Sequence, residues 1–89
     1  MSEHRFEFAT EGVLAYLAYR RDAERLVLAH TFVPEAMRRR GIGGHLVEAA
    51  VEAAIVPGLT VVPECPFVQA WLAANPTTAG RVRIAPLSS

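Results

Sequence analysis

The sequence contains no lysine, a single cysteine and no long apolar run. All nine basic residues are arginines, which excludes Schiff-base chemistry and the lysine of a nucleotide-binding P-loop. The lone cysteine, Cys65, excludes an internal disulfide and a zinc site built from several cysteines, and we predict no metal site. Because no charged start precedes a long apolar segment, we expect no signal peptide, no membrane span and a cytoplasmic location.

Charge and length narrow the class of protein further. The formal net charge is zero, so no global field attracts nucleic acid or an anionic membrane. The chain has 89 residues, of which 52% are hydrophobic, enough to build one core. We therefore predict a single domain over residues 1–89. The one local charge feature is a run of three arginines at 38–40.

Three β-strands are predicted in the first part of the chain. Residues 4–9 alternate between apolar and polar, which is typical of a half-buried strand. Residues 13–19 are apolar on both faces and favour a more central strand. Residues 25–33 form a third strand, and strict alternation places these side chains on one face: Leu26, Leu28, His30 and Phe32.

The second half of the chain predicts two helices separated by a strand. Apolar residues dominate 42–55, and Pro57-Gly58 stops this helix. The β-rich run 59–62 then suggests a crossover into parallel pairing. A second helix is expected over 66–74 and a short strand at 81–84. The predicted fold class is α+β, with a mixed sheet of four to five strands and two helices.

The loop Arg38-Arg39-Arg40-Gly41-Ile42-Gly43-Gly44 joins the third strand to the first helix. A helix start offers unpaired amides and partial positive charge, and glycines let phosphate oxygens approach the backbone. The pattern lacks the lysine of a P-loop and the distant acid of a dinucleotide fold. We interpret the loop as a pyrophosphate site. The alternative is a basic surface loop whose glycines serve only close packing.

The residues Arg38-x-x-Gly41-x-Gly43 match the Q/R-x-x-G-x-G/A acyl-CoA motif of the GNAT superfamily of N-acetyltransferases. Together with the segments 30–34 and 61–67, the motif resembles the very small GNAT-like domains of the YjdJ type. The resemblance covers about residues 24–76. It implies a compact GNAT-like fold and acetyl-CoA-dependent transfer of an acetyl group to an unknown amine, on a small molecule or a protein.

The resemblance also implies where coenzyme A binds. The pyrophosphate would lie on the amides of the motif loop, and the pantetheine arm would run along the end of the third strand. That arm would occupy a gap between the third strand and the strand at 59–62. The implied cofactor-binding residues are Phe32, Val33, Arg38, Arg39, Arg40, Gly41, Ile42, Gly43 and Gly44.

Two residues are candidates for catalysis. Cys65 stands at the expected N-cap of the second helix, where the dipole favours a thiolate that could accept an acyl group. The alternative is a small buried apolar residue. His30, at the proposed gap, is the best candidate base, although a lone histidine on an apolar face is usually a core residue. The neighbouring Glu64 is expected to be a solvated carboxylate.

Other observations keep a second function open. The larger GNAT enzymes commonly supply a tyrosine acid from the helix after the last motif strand. Here that helix has Phe67 and Trp71 instead, and their spacing favours core packing over a binding platform. A non-catalytic acyl-CoA-binding or protein-interaction module is therefore the alternative. A nucleic-acid-binding module based on the three arginines is weaker, because the net charge is zero.

Overall fold

The computed structural model describes residues 4–38 and 40–85. The elements, in chain order, are β1 His4–Thr10, β2 Val13–Arg21, β3 Arg25–Phe32, a 3₁₀ turn Glu35–Met37, α1 Ile42–Ile55, β4 Thr60–Pro63, α2 Pro66–Ala74 and α3 Pro76–Ala79. The predicted α+β fold is confirmed. Two details of the prediction were wrong. A short third helix follows Asn75, and Ile84 forms only an isolated bridge with Val61 where a strand at 81–84 was expected.

The four strands form one sheet in the order β1-β2-β3-β4. β2 pairs antiparallel with both β1 and β3, so it is central as predicted, and β4 joins β3 in parallel. The turn between β1 and β2 has positive φ at both Glu11 and Gly12, which matches the twist of a two-residue hairpin. In the next turn, the Asp22 carboxylate accepts hydrogen bonds from the amides of Glu24 and Arg25.

A β-bulge in β3 decides which residues face the helices. Tyr19 pairs with Leu28 and Ala18 pairs with His30, so one β3 residue, Ala29, has no partner in β2. An extra residue shifts the alternation of side chains by one position. Leu28 is therefore buried, while His30 is exposed on the opposite face. The prediction that His30 shares a face with Leu26 and Leu28 was wrong for this reason.

The hydrophobic core lies between one face of the sheet and the helices. The sheet contributes Leu17, Leu28 and Val61, each with no exposed surface. The buried positions of the two longer helices complete the same cluster: Ile42, Leu46, Val47, Ala50, Val51, Ala54, Val68 and Leu72. Within the described residues no helix is long and apolar enough to cross a membrane.

Candidate functional site

A cavity of about 560 Å³ lies where the end of β3, the start of α1 and one side of α2 meet. It is lined by Thr31, Val33, Met37, Arg38, Gly41, Ile42, Gly43, Gly44, Phe67 and Trp71. Most of the loop residues predicted from the sequence are therefore brought together on one cavity. Met37, which is fully buried, and the two aromatic residues of α2 were not predicted to belong to it.

The start of α1 supplies hydrogen-bond donors to this cavity. Gly41 is the N-cap residue with a left-handed φ of 73°, a conformation that glycine adopts without strain. Its carbonyl accepts the first helical hydrogen bond, from the amide of His45 at 3.0 Å. The amides of Ile42, Gly43 and Gly44 precede that bond and have no acceptor among the described residues. Unpaired amides with the helix dipole behind them favour an anion.

Gly43 and Gly44 have a further reason to lack a side chain. A Cβ at Gly43 would lie 2.6 Å from Cζ of Phe67, and a Cβ at Gly44 would lie 2.4 Å from Nε1 of Trp71. Both distances are too short for a real contact, so the aromatic side chains occupy the space of the missing methyl groups. The structure thus supports the close-packing alternative for these two glycines, while their amides still line the cavity.

The arginines of the loop differ in their contacts. Nε of Arg38 donates to the carbonyl of Val33 at 3.1 Å, which ties the loop to the residue that follows β3. Arg40 is exposed. Arg39, also predicted to bind the cofactor, lies outside the described residues. Of the two described arginines, Arg38 lines the cavity and Arg40 does not.

The end of β3 differs from the sequence-based expectation at one residue. Val33 lines the cavity as predicted, but Phe32 does not. Its ring is 43% exposed and packs against Tyr16 on the opposite face, with the centroids 5.5 Å apart. Thr31, the neighbour of Phe32, faces the cavity in its place. The sequence offered no signal for this exchange, because it follows from the bulge.

β4 ends before β3 does. Their pairing ends at Leu28 and Pro63, and the carbonyl of Leu28 accepts hydrogen bonds from the amides of both Glu64 and Cys65 at 3.1 Å. β3 then continues to Phe32 without a partner in β4. Neither β4 nor Cys65 is among the residues that line the cavity, so the gap that the family resemblance implied between these two strands stays a prediction.

Cys65 follows β4 and is the N-cap residue of α2, as predicted. Its side chain is buried, and Sγ is 3.5 Å from Oγ1 of Thr31. Burial raises the pKa of the thiol. Hydrogen bonds from the Thr31 hydroxyl and from the amides of Val68 and Phe67 outweigh burial, so the pKa is lowered overall. The thiolate is thus favoured by its surroundings, which a purely apolar site would not do.

His30 is not the partner of Cys65. It lies on the opposite face of the sheet, with its ring 6.2 Å from that of Tyr16. Glu64 is exposed, as predicted, and forms an ion pair with Arg20 at 3.1 Å. The polar neighbour of the thiol is Thr31, which sequence reasoning missed because strict alternation placed it on the other face.

Comparison with known proteins identifies the family of this chain. A family model described as GCN5-related N-acetyl-transferase matches residues 5–81. The chain belongs to this family. It is 36% identical over 73 residues to Protein NATD1 of Mus musculus, which is 81% of this chain and 66% of the relative.

Two further relatives show the same pattern. Protein NATD1 of Homo sapiens is 36% identical over 73 residues, covering 81% of this chain and 65% of the relative. Protein NATD1 of Gallus gallus is 38% identical over 63 residues, covering 70% and 57%. The chain thus spans just under two thirds of the length of the mouse and human relatives.

Proposed function

We propose that the chain is an acetyl-CoA-dependent N-acetyltransferase and that the cavity beside α1 binds coenzyme A. The observation that carries this proposal is that one cavity has hydrogen-bond donors at one part of its wall and apolar side chains at another. Three amides at the start of α1 that have no acceptor among the described residues suit a pyrophosphate, and the apolar side chains of Val33, Met37 and Phe67 suit a pantetheine arm. Family membership supports the acetyltransferase role.

The arrangement around Cys65 supports a route through an acyl-enzyme. Acetyl-CoA supplies an acetyl thioester. The Cys65 thiolate would attack its carbonyl, form a new thioester at Sγ and release the coenzyme as a thiolate. An acceptor amine would then take the acetyl group and return the electron pair to Sγ. The Thr31 hydroxyl would help to stabilise the thiolate, because its hydrogen bond contributes to the lowered pKa of the thiol.

We propose His30 as the base that removes a proton from the acceptor amine. It is exposed on the face of the sheet opposite the helices, at the part of β3 that β4 no longer covers. An amine arriving from that face would meet His30 before it reaches the gap. The acceptor and the coenzyme would thus enter from different faces of the sheet.

A second candidate function is acyl-CoA binding without catalysis. The observation that favours it is the placement of the phenol groups. Both tyrosines, Tyr16 and Tyr19, are in β2, and neither lines the cavity. α2 presents Phe67 and Trp71 there, and neither side chain can protonate a leaving thiolate.

Intact-mass spectrometry separates these possibilities. The protein is incubated with acetyl-CoA and its mass is recorded under native and denaturing conditions. An acyl-enzyme predicts a retained coenzyme and one covalent acetyl group that is lost in Cys65→Ala. A matched control restores a cysteine at an exposed site of the same helix, in Cys65→Ala/Ala73→Cys, and should stay unmodified because it lacks the Thr31 contact.

The contrary results are equally specific. A retained coenzyme without an adduct, but with thiol release on adding amines, would replace the acyl-enzyme by direct transfer. Retention without thiol release for any amine in a panel of small amines and lysine peptides favours the binding module. If no coenzyme is retained and millimolar acetyl-CoA gives no thermal stabilisation, the cavity is not a coenzyme A site.

A further inference from the structure

The two edges of the sheet differ in what covers them. β4, at one edge, is covered by the chain after α3: the amide of Val61 donates to the carbonyl of Arg83, and the amide of Ala85 donates to the carbonyl of Val61, both at 2.8 Å. β1, at the other edge, has β2 on one side and no strand on the other among residues 4–38 and 40–85. Within the described chain, the edge at β1 is therefore open.

β1 also lacks the features that usually prevent an edge strand from pairing with another chain. Such strands commonly carry a proline, a lysine or a bulge. β1 has seven residues, contains neither proline nor lysine, and pairs with β2 in unbroken register from His4 to Thr10. Five of its residues are exposed, among them Phe8 at 39%. A regular edge of this length favours the addition of another strand.

The hairpin turn determines which backbone groups of β1 point outward. The loop between β1 and β2 has two residues, so Thr10 and Val13 close it as a hydrogen-bonded pair. Hydrogen-bonded and non-hydrogen-bonded pairs alternate along an antiparallel ladder. The N–H and C=O groups of Arg5, Glu7 and Ala9 therefore point away from β2, toward the open edge.

The charges on this edge are complementary to themselves. Arg5 and Glu7 lie on the face of the sheet opposite the helices and form an ion pair at 3.1 Å. When two copies of β1 pair antiparallel about a two-fold axis at Phe6, Arg5 of each copy lies opposite Glu7 of the other. An axis at Arg5 or at Glu7 would instead place like charges opposite each other, which is destabilising. Charge thus favours the register centred on Phe6.

The same register satisfies the backbone and covers apolar surface. Arg5 and Glu7 of the other copy would form a hydrogen-bonded pair, and each such pair exchanges two backbone hydrogen bonds. At the axis, Phe6 would meet its own copy as a non-hydrogen-bonded pair, in which side chains approach most closely. The exposed ring of Phe8 would lie beside His4 of the other copy.

We propose that the open edge of β1 is an interface for a second copy of this chain. The two copies join by antiparallel pairing of β1 with β1, centred on Phe6, and form one continuous sheet across a two-fold axis. The pairing uses the same edge of both copies, so it closes at a dimer. The cavity lies at the end of β3, separated from this edge by β2. The inference therefore goes beyond the proposed function and does not depend on it.

Charge exchange tests this register. Sedimentation velocity over a concentration series should show wild type in equilibrium between monomer and dimer. Arg5→Glu and Glu7→Arg each place like charges opposite each other at two positions, and each should weaken dimerisation about ten- to hundredfold. An equimolar mixture of the two variants should dimerise again, because opposite charges then face each other, and so should the double variant Arg5→Glu/Glu7→Arg. Glu48→Arg, at an exposed position of α1, is the control for net charge and should behave as wild type.

Amide hydrogen exchange locates the interface. The amides of Arg5 and Glu7 should exchange rapidly at low protein concentration and become protected as the dimer forms. Those of Phe6 and Phe8, which point toward β2, should be protected at every concentration. Circular dichroism checks the fold of each variant. If a variant does not fold, the exchange pattern of the wild-type protein decides the question without it.

Four results would overturn the inference. The first is a wild-type protein that stays monomeric up to about 1 mM, an affinity too weak for a specific interface. The second is a dimer in which the amides of Arg5 and Glu7 stay unprotected, which would place the interface elsewhere. The third is a pair of folded single variants that dimerise as well as wild type, or whose mixture forms no dimer. The fourth is growth beyond a dimer. All four leave coenzyme A binding and the proposed function untouched.

Discussion

Replacing Gly44 by alanine should reveal how tightly α1 and α2 are packed. The added Cβ would lie 2.4 Å from Nε1 of Trp71, so the indole must move by about 1 Å or more to restore ordinary contact. Overpacking of this kind costs about 1–3 kcal/mol. Alanine in a helix is favoured over glycine by up to about 1 kcal/mol. The net effect expected for Gly44→Ala is a destabilisation of about 0–2 kcal/mol.

The sign of the effect should reverse once the indole is removed. A Trp71→Ala background removes the three atoms nearest to the new methyl group, so Gly44→Ala should stabilise the protein by up to about 1 kcal/mol. The coupling free energy between the two substitutions is then about 1–3 kcal/mol. Gly43→Ala is the matched control. Its Cβ would meet the tip of Phe67, which is 43% exposed and free to swing outward, so this change should be nearly neutral or stabilising.

The measurement is urea unfolding followed by far-ultraviolet circular dichroism, since Trp71→Ala removes the only tryptophan. The free energies of unfolding of wild type, Gly44→Ala, Trp71→Ala and the double variant form a double-mutant cycle. They are compared on the condition that the four proteins have equal m-values, the slopes of free energy against urea concentration. Additive effects, with Gly44→Ala stabilising by the same amount whether or not Trp71 is present, would refute the packing that we derive. They would also weaken the placement of the indole N–H against the first turn of α1.

Two further predictions concern titratable groups. The pKa of the Cys65 thiol is lowered in the folded protein. The stability of wild type relative to Cys65→Ser should therefore increase as the pH rises from that lowered pKa to the ordinary value of 9.0. This added stability should be lost as the pH falls through the lowered pKa. The thiolate titration followed by absorbance near 240 nm should have its midpoint below pH 9.0, and this midpoint should rise in Thr31→Val. An unchanged midpoint would contradict the role of the hydroxyl. The pKa of Asp22 is lowered by hydrogen bonds from the amides of Glu24 and Arg25. Its stabilisation should be present above pH 3.8 and be lost as the pH falls through the lowered pKa, so the stability difference from Asp22→Ala should vanish in acid; a pH-independent difference would argue against it.

The helices could be predicted from the sequence because their ends carry local signals. The bounds expected for the two longer helices, 42–55 and 66–74, agree with the structure. Gly41 adopts the left-handed conformation before α1, and Pro66 begins α2, where its missing amide removes no hydrogen bond. β4 begins and ends one residue later than expected. The parallel crossover followed from the order of the elements.

The face of each residue at the end of β3 could not be predicted in the same way. The bulge at Ala29 depends on how β3 pairs with β2, and such pairing is a long-range property. Its consequence is large, because one extra residue exchanges His30 and Thr31 between the two faces of the sheet. Phe32 leaves the cavity for the same reason.

By itself, the sequence determined the order of strands and helices, the glycine-bearing start of α1 and the position of Cys65 at an N-cap, because each depends on residues close together in the chain. Only the tertiary structure decided that Thr31 is the neighbour of the thiol. It also decided that Phe67 and Trp71 occupy the space above Gly43 and Gly44. Those contacts join segments about thirty residues apart, and their geometry is set by strand pairing and helix packing, which no local pattern specifies.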